Sequence, residues 1–202
     1  MSRYVRKDAN YRRAKAEGLR SRAAYKLEEL DRRLSLLARG CRVVDLGCWP
    51  GAWLQVAAAR VGPKGRVVGL DLKIADPLPE PNIVILEGDV GDEAIAKQVA
   101  LALGGPADLV LSDLAPNLSG VREADATRHA NLVRIAAERA RQWLRPSGIF
   151  VAKLFMDAEY EETVRYLRAG FGTVRTLKLE GTRPGSSELY VCTRKPQPLG
   201  RD

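Results

Sequence analysis

The stretch from Cys41 to Gln55, CRVVDLGCWPGAWLQ, restricts the chain more than any other. An apolar run with Val43, Val44 and Leu46 gives way to Gly47, a short loop carries Pro50 and Gly51, and Ala52 to Ala59 follows as an alanine-rich segment. This pattern predicts a buried strand, a tight turn and the start of a helix. Glycines in such a turn let backbone approach a ligand with no Cβ in the way, and the unpaired N–H groups of the helix start favour an anionic group such as a carboxylate. The spacing is Gly-x-x-x-Gly and not Gly-x-Gly-x-x-Gly, so a dinucleotide pyrophosphate cradle is not predicted. A second strand, Arg66 to Leu70, ends in Asp71, 20 residues past Gly51, where an acid can accept hydrogen bonds from ribose hydroxyls. The alternative is an ordinary α/β turn with a solvated aspartate.

The rest of the chain repeats the alternation. A first helix is predicted from about Ser21 to Leu37, with Ala23, Leu27, Leu30, Leu34 and Leu37 as its apolar stripe and Lys26 on the border, where it snorkels into water or leans into a site. Further strands are predicted at Ile83–Leu86, Leu109–Leu111, Ile149–Leu154, Phe171 to about Leu179 and Leu189–Thr193. Helices are predicted from Asp92 to Leu103, Glu123 to Leu144 and Asp157 to Arg168, with Arg145-Pro146-Ser147-Gly148 as a break. Alternating strands and helices imply a Rossmann-like α/β fold, a mostly parallel seven-stranded sheet covered on both faces. The last two strands have no helix between them, which predicts an antiparallel edge hairpin.

No run is long enough to span a membrane, and the amino terminus lacks a signal-peptide core, so a soluble cytoplasmic protein acting as a monomer is expected. Cys41, Cys48 and Cys192 are odd in number and scattered, which suggests neither disulfides nor a metal site. The single His129 falls in step with Val133, Ala136 and Ala140 and is expected to be packed or partly exposed there, not catalytic. The net charge of +8 is concentrated: residues 1–22 hold eight basic and two acidic residues, with Tyr4 and Tyr11 among them. A basic arm with aromatics suits nucleic-acid binding by phosphate neutralisation and base stacking; the alternative is a solubilising tail. The expected organisation is a flexible RNA-binding arm over 1–20, one domain over 21–195 and a short tail over 196–202.

In open α/β sheets ligands bind beyond the carboxyl ends of the strands. Asp45, Asp71, Asp89, Asp113 and Lys153 all fall at such ends. Lys153 lies in the apolar run GIFVAKLF, and burying an ammonium without a partner costs several kcal/mol, on the order of that for any uncompensated ion, so Asp113 on the neighbouring strand is its natural partner. An antiparallel last strand brings Glu188 to the same rim, and Lys26 can complete the group.

The segments Arg22-Ala-Ala-Tyr-Lys26-Leu, Val44-Asp-Leu-Gly-Cys-Trp-Pro-Gly51-Ala-Trp53, Leu111-Ser-Asp113-Leu-Ala-Pro-Asn-Leu-Ser-Gly120, Phe150-Val-Ala-Lys153-Leu-Phe and Arg183-Pro-Gly-Ser-Ser-Glu188-Leu-Tyr resemble, in that order, the FtsJ/RrmJ family of S-adenosylmethionine-dependent RNA ribose 2′-O-methyltransferases. The resemblance implies a methyltransferase domain with a catalytic Lys-Asp-Lys-Glu tetrad at Lys26, Asp113, Lys153 and Glu188. It implies S-adenosylmethionine contacts at Gly47, Gly51, Trp53, Asp71, Asp89 and Asp113, with Asp71 on the ribose hydroxyls and Asp89 near the adenine. It further implies methylation of a uridine in 23S ribosomal RNA within the assembled large subunit; transfer RNA, a messenger cap or a catalytically inactive RNA-binding relative are the alternatives. Two local departures are Cys48-Trp49, where small residues are common, and Met156-Asp157, where close bacterial members carry Gln-Gly.

Methyl transfer is an in-line displacement in which the 2′-hydroxyl loses its proton, and no metal is required. Desolvation in the apolar strand favours a neutral Lys153 able to accept that proton, whereas Asp113 favours a charged Lys153 acting as an electrostatic positioner. Both roles are open at the level of sequence. A nicotinamide dehydrogenase is disfavoured by the loop spacing, and a base-modifying enzyme by Asn117 standing after Pro116 in place of an aromatic platform.

Overall fold

The computed structural model describes residues 9–180, 182 and 185–196. Arg3, Tyr4, Arg6 and Lys7 of the basic arm, Arg183 and Pro184, and residues 197–202 of the tail lie outside them. The described strands form one seven-stranded sheet in the order β3-β2-β1-β4-β5-β7-β6. Strands β1 (Arg42–Leu46), β2 (Arg66–Asp71), β3 (Ile83–Glu87), β4 (Ala107–Ser112) and β5 (Leu144–Phe155) are parallel. Strand β7 (Glu188–Pro196) is antiparallel to β5 and to β6 (Phe171–Leu177), the hairpin expected from the missing helix.

Successive residues of a strand face opposite sides, so the unbroken apolar runs feed two cores. Val43, Val67, Leu109 and Leu111 pack beneath α2 (Ala24–Leu34) and α3 (Ala52–Val61), which contribute Leu27, Leu30, Leu54 and Ala57. Val44, Val68, Val110 and Phe150 pack beneath α4 (Glu93–Leu103), α5 (Arg122–Trp143) and α6 (Tyr160–Gly170), which contribute Val99, Val133, Ala137 and Leu167. Because β1, β2, β4 and β5 point the same way, their polar ends share one rim. The order reverses between β1 and β4, which splays the loops after these strands and opens a crevice.

Among the boundaries that differ from the sequence expectation, three have an evident local cause. Helix α2 ends at Leu34, not Leu37, because Ser35 turns left-handed (φ 52°) and Asp31 Oδ1 accepts from the N–H groups of Leu36 and Leu37 at 3.0 and 2.8 Å. Strand β5 begins at Leu144, since Leu144 already pairs with Ala107 and a register shift absorbs the Pro-Ser-Gly segment. The arm is not irregular throughout: α1 (Ala9–Ala16) is a helix, closed by a 2.8 Å bond from Leu19 N to Ala14 O and seated through the buried Ala14. Its polar sequence carries no apolar stripe from which the helix could be read.

Candidate active site

Strand register assembles the tetrad. Lys153 on β5 lies opposite Tyr190 on β7, and Phe155 opposite Glu188, so Lys153, Tyr190 and Glu188 stand on one face. Ser112 pairs with Ala152, which delivers Asp113 beside Lys153. Lys153 is only 7% exposed and its Nζ donates to the Asp113 carbonyl at 2.7 Å while pairing with Asp113 Oδ1 at 3.2 Å. From α2, Lys26 leans into the site and does not snorkel away: its Nζ meets Glu188 Oε1 at 2.6 Å. All four expected residues therefore converge, as two ion pairs.

Tyr190 joins the pairs, and sequence reasoning did not single it out. Its hydroxyl donates to Asp113 Oδ1 at 2.8 Å, and Lys26 Nζ stands 5.8 Å from its ring centroid. Burial and, after it, the Asp113 carboxylate raise the Tyr190 pKa well above the usual phenol value, so the hydroxyl stays a donor. Its signal was its place two residues after Glu188, which puts both on the same face of a strand.

The other expected residues stand at the same rim, after β1, β2 and β3. Gly47 and Gly51 take positive φ, 80° and 107°, and a Cβ on Gly47 would lie 3.1 Å from Leu114 N, so only glycine lets the two loops approach this closely. The Asp71 carboxylate is held by Trp49 N at 2.9 Å and Lys73 N at 3.0 Å, and Asp89 accepts from Gly91 N at 2.7 Å. Between the two acids lies a cavity of about 150 Å³ walled by Leu46, Leu70, Leu72, Leu114 and Pro116. The Trp53 indole is buried, donates to Ala23 O at 2.8 Å and packs with its ring centroid 6.0 Å from that of Tyr190. Asp113 Oδ1 is engaged twice, its carbonyl accepts from Lys153 and its N–H donates to Leu46 O at 3.0 Å, so the remaining capacity of its carboxylate lies on Oδ2.

Asp45, at the same rim, is 1% exposed, and neither carboxylate oxygen has a hydrogen-bond partner among the described residues. Burial, followed by the nearby Asp113 and Asp71 charges, raises its pKa well above the ordinary carboxyl value. A buried acid without a donor or counter-charge fits a site completed by a cationic ligand. The small, largely apolar cavity, the anchored acids and this orphaned carboxylate together suit a nucleoside joined to an amino-acid cation. His129 is packed, as expected, with its ring 4.7 Å from Phe155. Its pKa falls to about 4, through burial first and the Lys153 charge second, so the ring is neutral near neutral pH. It lines a larger cavity of about 770 Å³ with Pro116, Leu118, Arg122, Phe155 and Met156, next to the tetrad.

Comparison with known proteins decides the family: the sequence model of the FtsJ-like methyltransferases matches residues 19–195. The chain belongs to this family. FtsJ-like membership makes the protein an S-adenosylmethionine-dependent methyltransferase. "Ribosomal RNA large subunit methyltransferase E" of Syntrophobacter fumaroxidans is 44% identical over 188 residues, spanning 93% of this chain and 95% of the relative. The protein of the same name from Methanothrix thermoacetophila is 43% identical over 189 residues, covering 94% of this chain and 72% of the relative. Among solved structures, one from Plasmodium falciparum superposes with a TM-score of 0.77 at 30% identity, covering 90% of this chain and all of that one. Aeropyrum pernix fibrillarin, solved with natively bound S-adenosylmethionine, shares the fold at a TM-score of 0.60 and 18% identity, covering 84% of this chain and 75% of that one.

Proposed function

We propose that this FtsJ-like protein methylates a ribose 2′-hydroxyl of ribosomal RNA, with a uridine of 23S RNA in the assembled large subunit as acceptor, and that it acts as a cytoplasmic monomer. The observation that carries the chemistry is the grip of Asp113 on Lys153 beside the Lys26–Glu188 pair. The relatives named as large-subunit ribosomal RNA methyltransferases support the acceptor.

S-adenosylmethionine, when bound, supplies a methyl group on a positively charged sulfur. In this reading Asp71 holds the ribose hydroxyls, Asp89 borders the adenine, the loop at Gly47 and Gly51 with the first turn of α3 receives the carboxylate, and Asp45 meets the positive charge. Lys153 Nζ has two of its directions fixed by Asp113, leaving the third for the acceptor oxygen. In the reactive form the amine takes the hydroxyl proton, and the ammonium that results forms against a carboxylate already in place. Tyr190 fixes that carboxylate, and the Lys26–Glu188 pair orients the nucleotide. The larger cavity beside His129 receives the acceptor nucleoside.

In the arm, Arg13 is engaged with Glu17 at 2.8 Å and lies 4.6 Å over the Tyr25 ring. Arg12 and Lys15 on α1 are exposed and are assigned to RNA phosphates. The assignment is tested by mapping 2′-O-methyl groups after incubating the protein and S-adenosylmethionine with large subunits from cells lacking it, and with the same RNA stripped of protein. Modification of one uridine ribose in the subunit supports the proposal; modification confined to transfer RNA or capped RNA, supplied in parallel, overturns it.

A further inference from the structure

The arm cation nearest the domain makes no free phosphate-binding group. The Arg20 guanidinium donates to three backbone carbonyls: Nη1 to Pro50 O at 3.0 Å and Asp76 O at 2.6 Å, and Nη2 to Pro77 O at 2.7 Å. Pro50 belongs to the glycine loop, and Asp76 and Pro77 to the connection between β2 and β3 that follows Asp71. Prolines at 77, 79 and 81 deny that connection three N–H groups, so it cannot tie itself into regular structure and its carbonyls take an outside donor. Gln55, on α3, secures the backbone of the same residue: its Oε1 accepts from Arg20 N at 2.9 Å and its Nε2 donates to Gly18 O at 3.1 Å. Gly51 leaves the room this needs, since a Cβ there would stand 2.8 Å from Arg20 Nη1.

We propose that Arg20 is a positioning residue for the cofactor, clamping the glycine loop to the connection that follows Asp71 and fastening both to the segment running from the arm to Lys26. The inference rests on reading these two loops as the cofactor site. Apart from this clamp, the side chains described linking the two loops are Asp71, which accepts from Trp49 N, and Lys73, whose Nζ stands 5.3 Å from the Trp49 ring centroid. A guanidinium is suited to the task because its planar fork satisfies divergent carbonyls at once, which a single ammonium cannot do. Arg20 thus acts on cofactor affinity, while Arg12, exposed on α1, acts on RNA affinity.

The test compares Arg20→Ala, Arg20→Lys and Arg12→Ala in the full chain, with S-adenosylhomocysteine as calorimetric probe and the salt dependence of RNA binding as second readout. Arg20→Ala should weaken the probe by about tenfold or more and raise KM for S-adenosylmethionine with little change in kcat at saturation, leaving the RNA log–log salt slope unchanged. Arg20→Lys should recover only part of the affinity. Arg12→Ala should do the reverse, lowering the slope by roughly 0.7 to 0.9 with the probe unaffected. Probe affinity within about twofold of wild type in Arg20→Ala, or a slope lowered by one phosphate contact, overturns the clamp. Should Arg20→Ala fail to fold, wild-type probe affinity in Arg20→Lys overturns it equally. Failure of the wild-type chain to bind the probe at all would instead sink the reading of the loops as the cofactor site.

Discussion

Replacing Tyr190 by phenylalanine removes one atom from the centre of the site and little else. The ring is fully buried against Trp53, and its hydroxyl is one of two donors to Asp113 Oδ1, the other being Lys153 at 3.2 Å. A hydrogen bond to a charged acceptor contributes about 1.5–3 kcal/mol. If the bond fixes the carboxylate as positive charge builds on Lys153, its loss appears in the transition state and lowers kcat by about 10- to 150-fold. The apolar ring is retained, so the fold and the cofactor affinity should persist. Single-turnover methyl transfer with saturating RNA and cofactor, alongside calorimetric titration of S-adenosylhomocysteine, separates these effects. A kcat within about twofold of wild type would refute the role given to the hydroxyl, as would a loss confined to cofactor binding.

Asp71→Ala should abolish measurable S-adenosylmethionine binding by calorimetry while leaving the melting transition in place; unchanged affinity would make this acid a loop anchor only. Asp45→Asn should weaken the cofactor yet raise the melting temperature of the unliganded protein near neutral pH. The sign follows from a folded-state pKa raised above the ordinary carboxyl value of 3.8: the burden of this acid is absent below that pH and grows as pH rises through it. A variant less stable than wild type at pH 7 would contradict the assignment. For His129 the folded pKa is depressed from 6.5 to about 4, so stability is present above pH 6.5 and is lost as pH falls toward 4. His129→Leu should remove roughly 2 kcal/mol of that acid dependence, measured by denaturant unfolding at pH 7 and pH 4.5 against wild type.

The centre of the sheet was legible because β1, β2, β4 and most of β5 are covered on both faces and read as apolar runs with a charge at or beside the carboxyl end. Lys153 was legible for the same reason, standing out in GIFVAKLF as a cation that must find an anion. Tyr190 was not, since an aromatic residue in a buried strand has the signature of core packing, and only the pairing with Lys153 reveals its second use. Arg20 could not be told from its neighbours in a run of cations, because its partners are backbone carbonyls 30 to 57 residues away. The early start of β5 was hidden by Pro146 and Gly148, which look like a loop until Leu144 is seen beside Ala107.

The central claim is that Lys153, set by Asp113, carries out methyl transfer to a ribose hydroxyl. Its most direct test is the single-turnover rate of Lys153→Ala, with labelled S-adenosylmethionine and large subunits from cells lacking the protein, both shown to bind. The account predicts near-normal affinity for cofactor and subunit with no measurable 2′-O-methyl product, and no recovery in Lys153→Arg, whose guanidinium cannot give up its proton. Substantial ribose methylation by the alanine variant would contradict it.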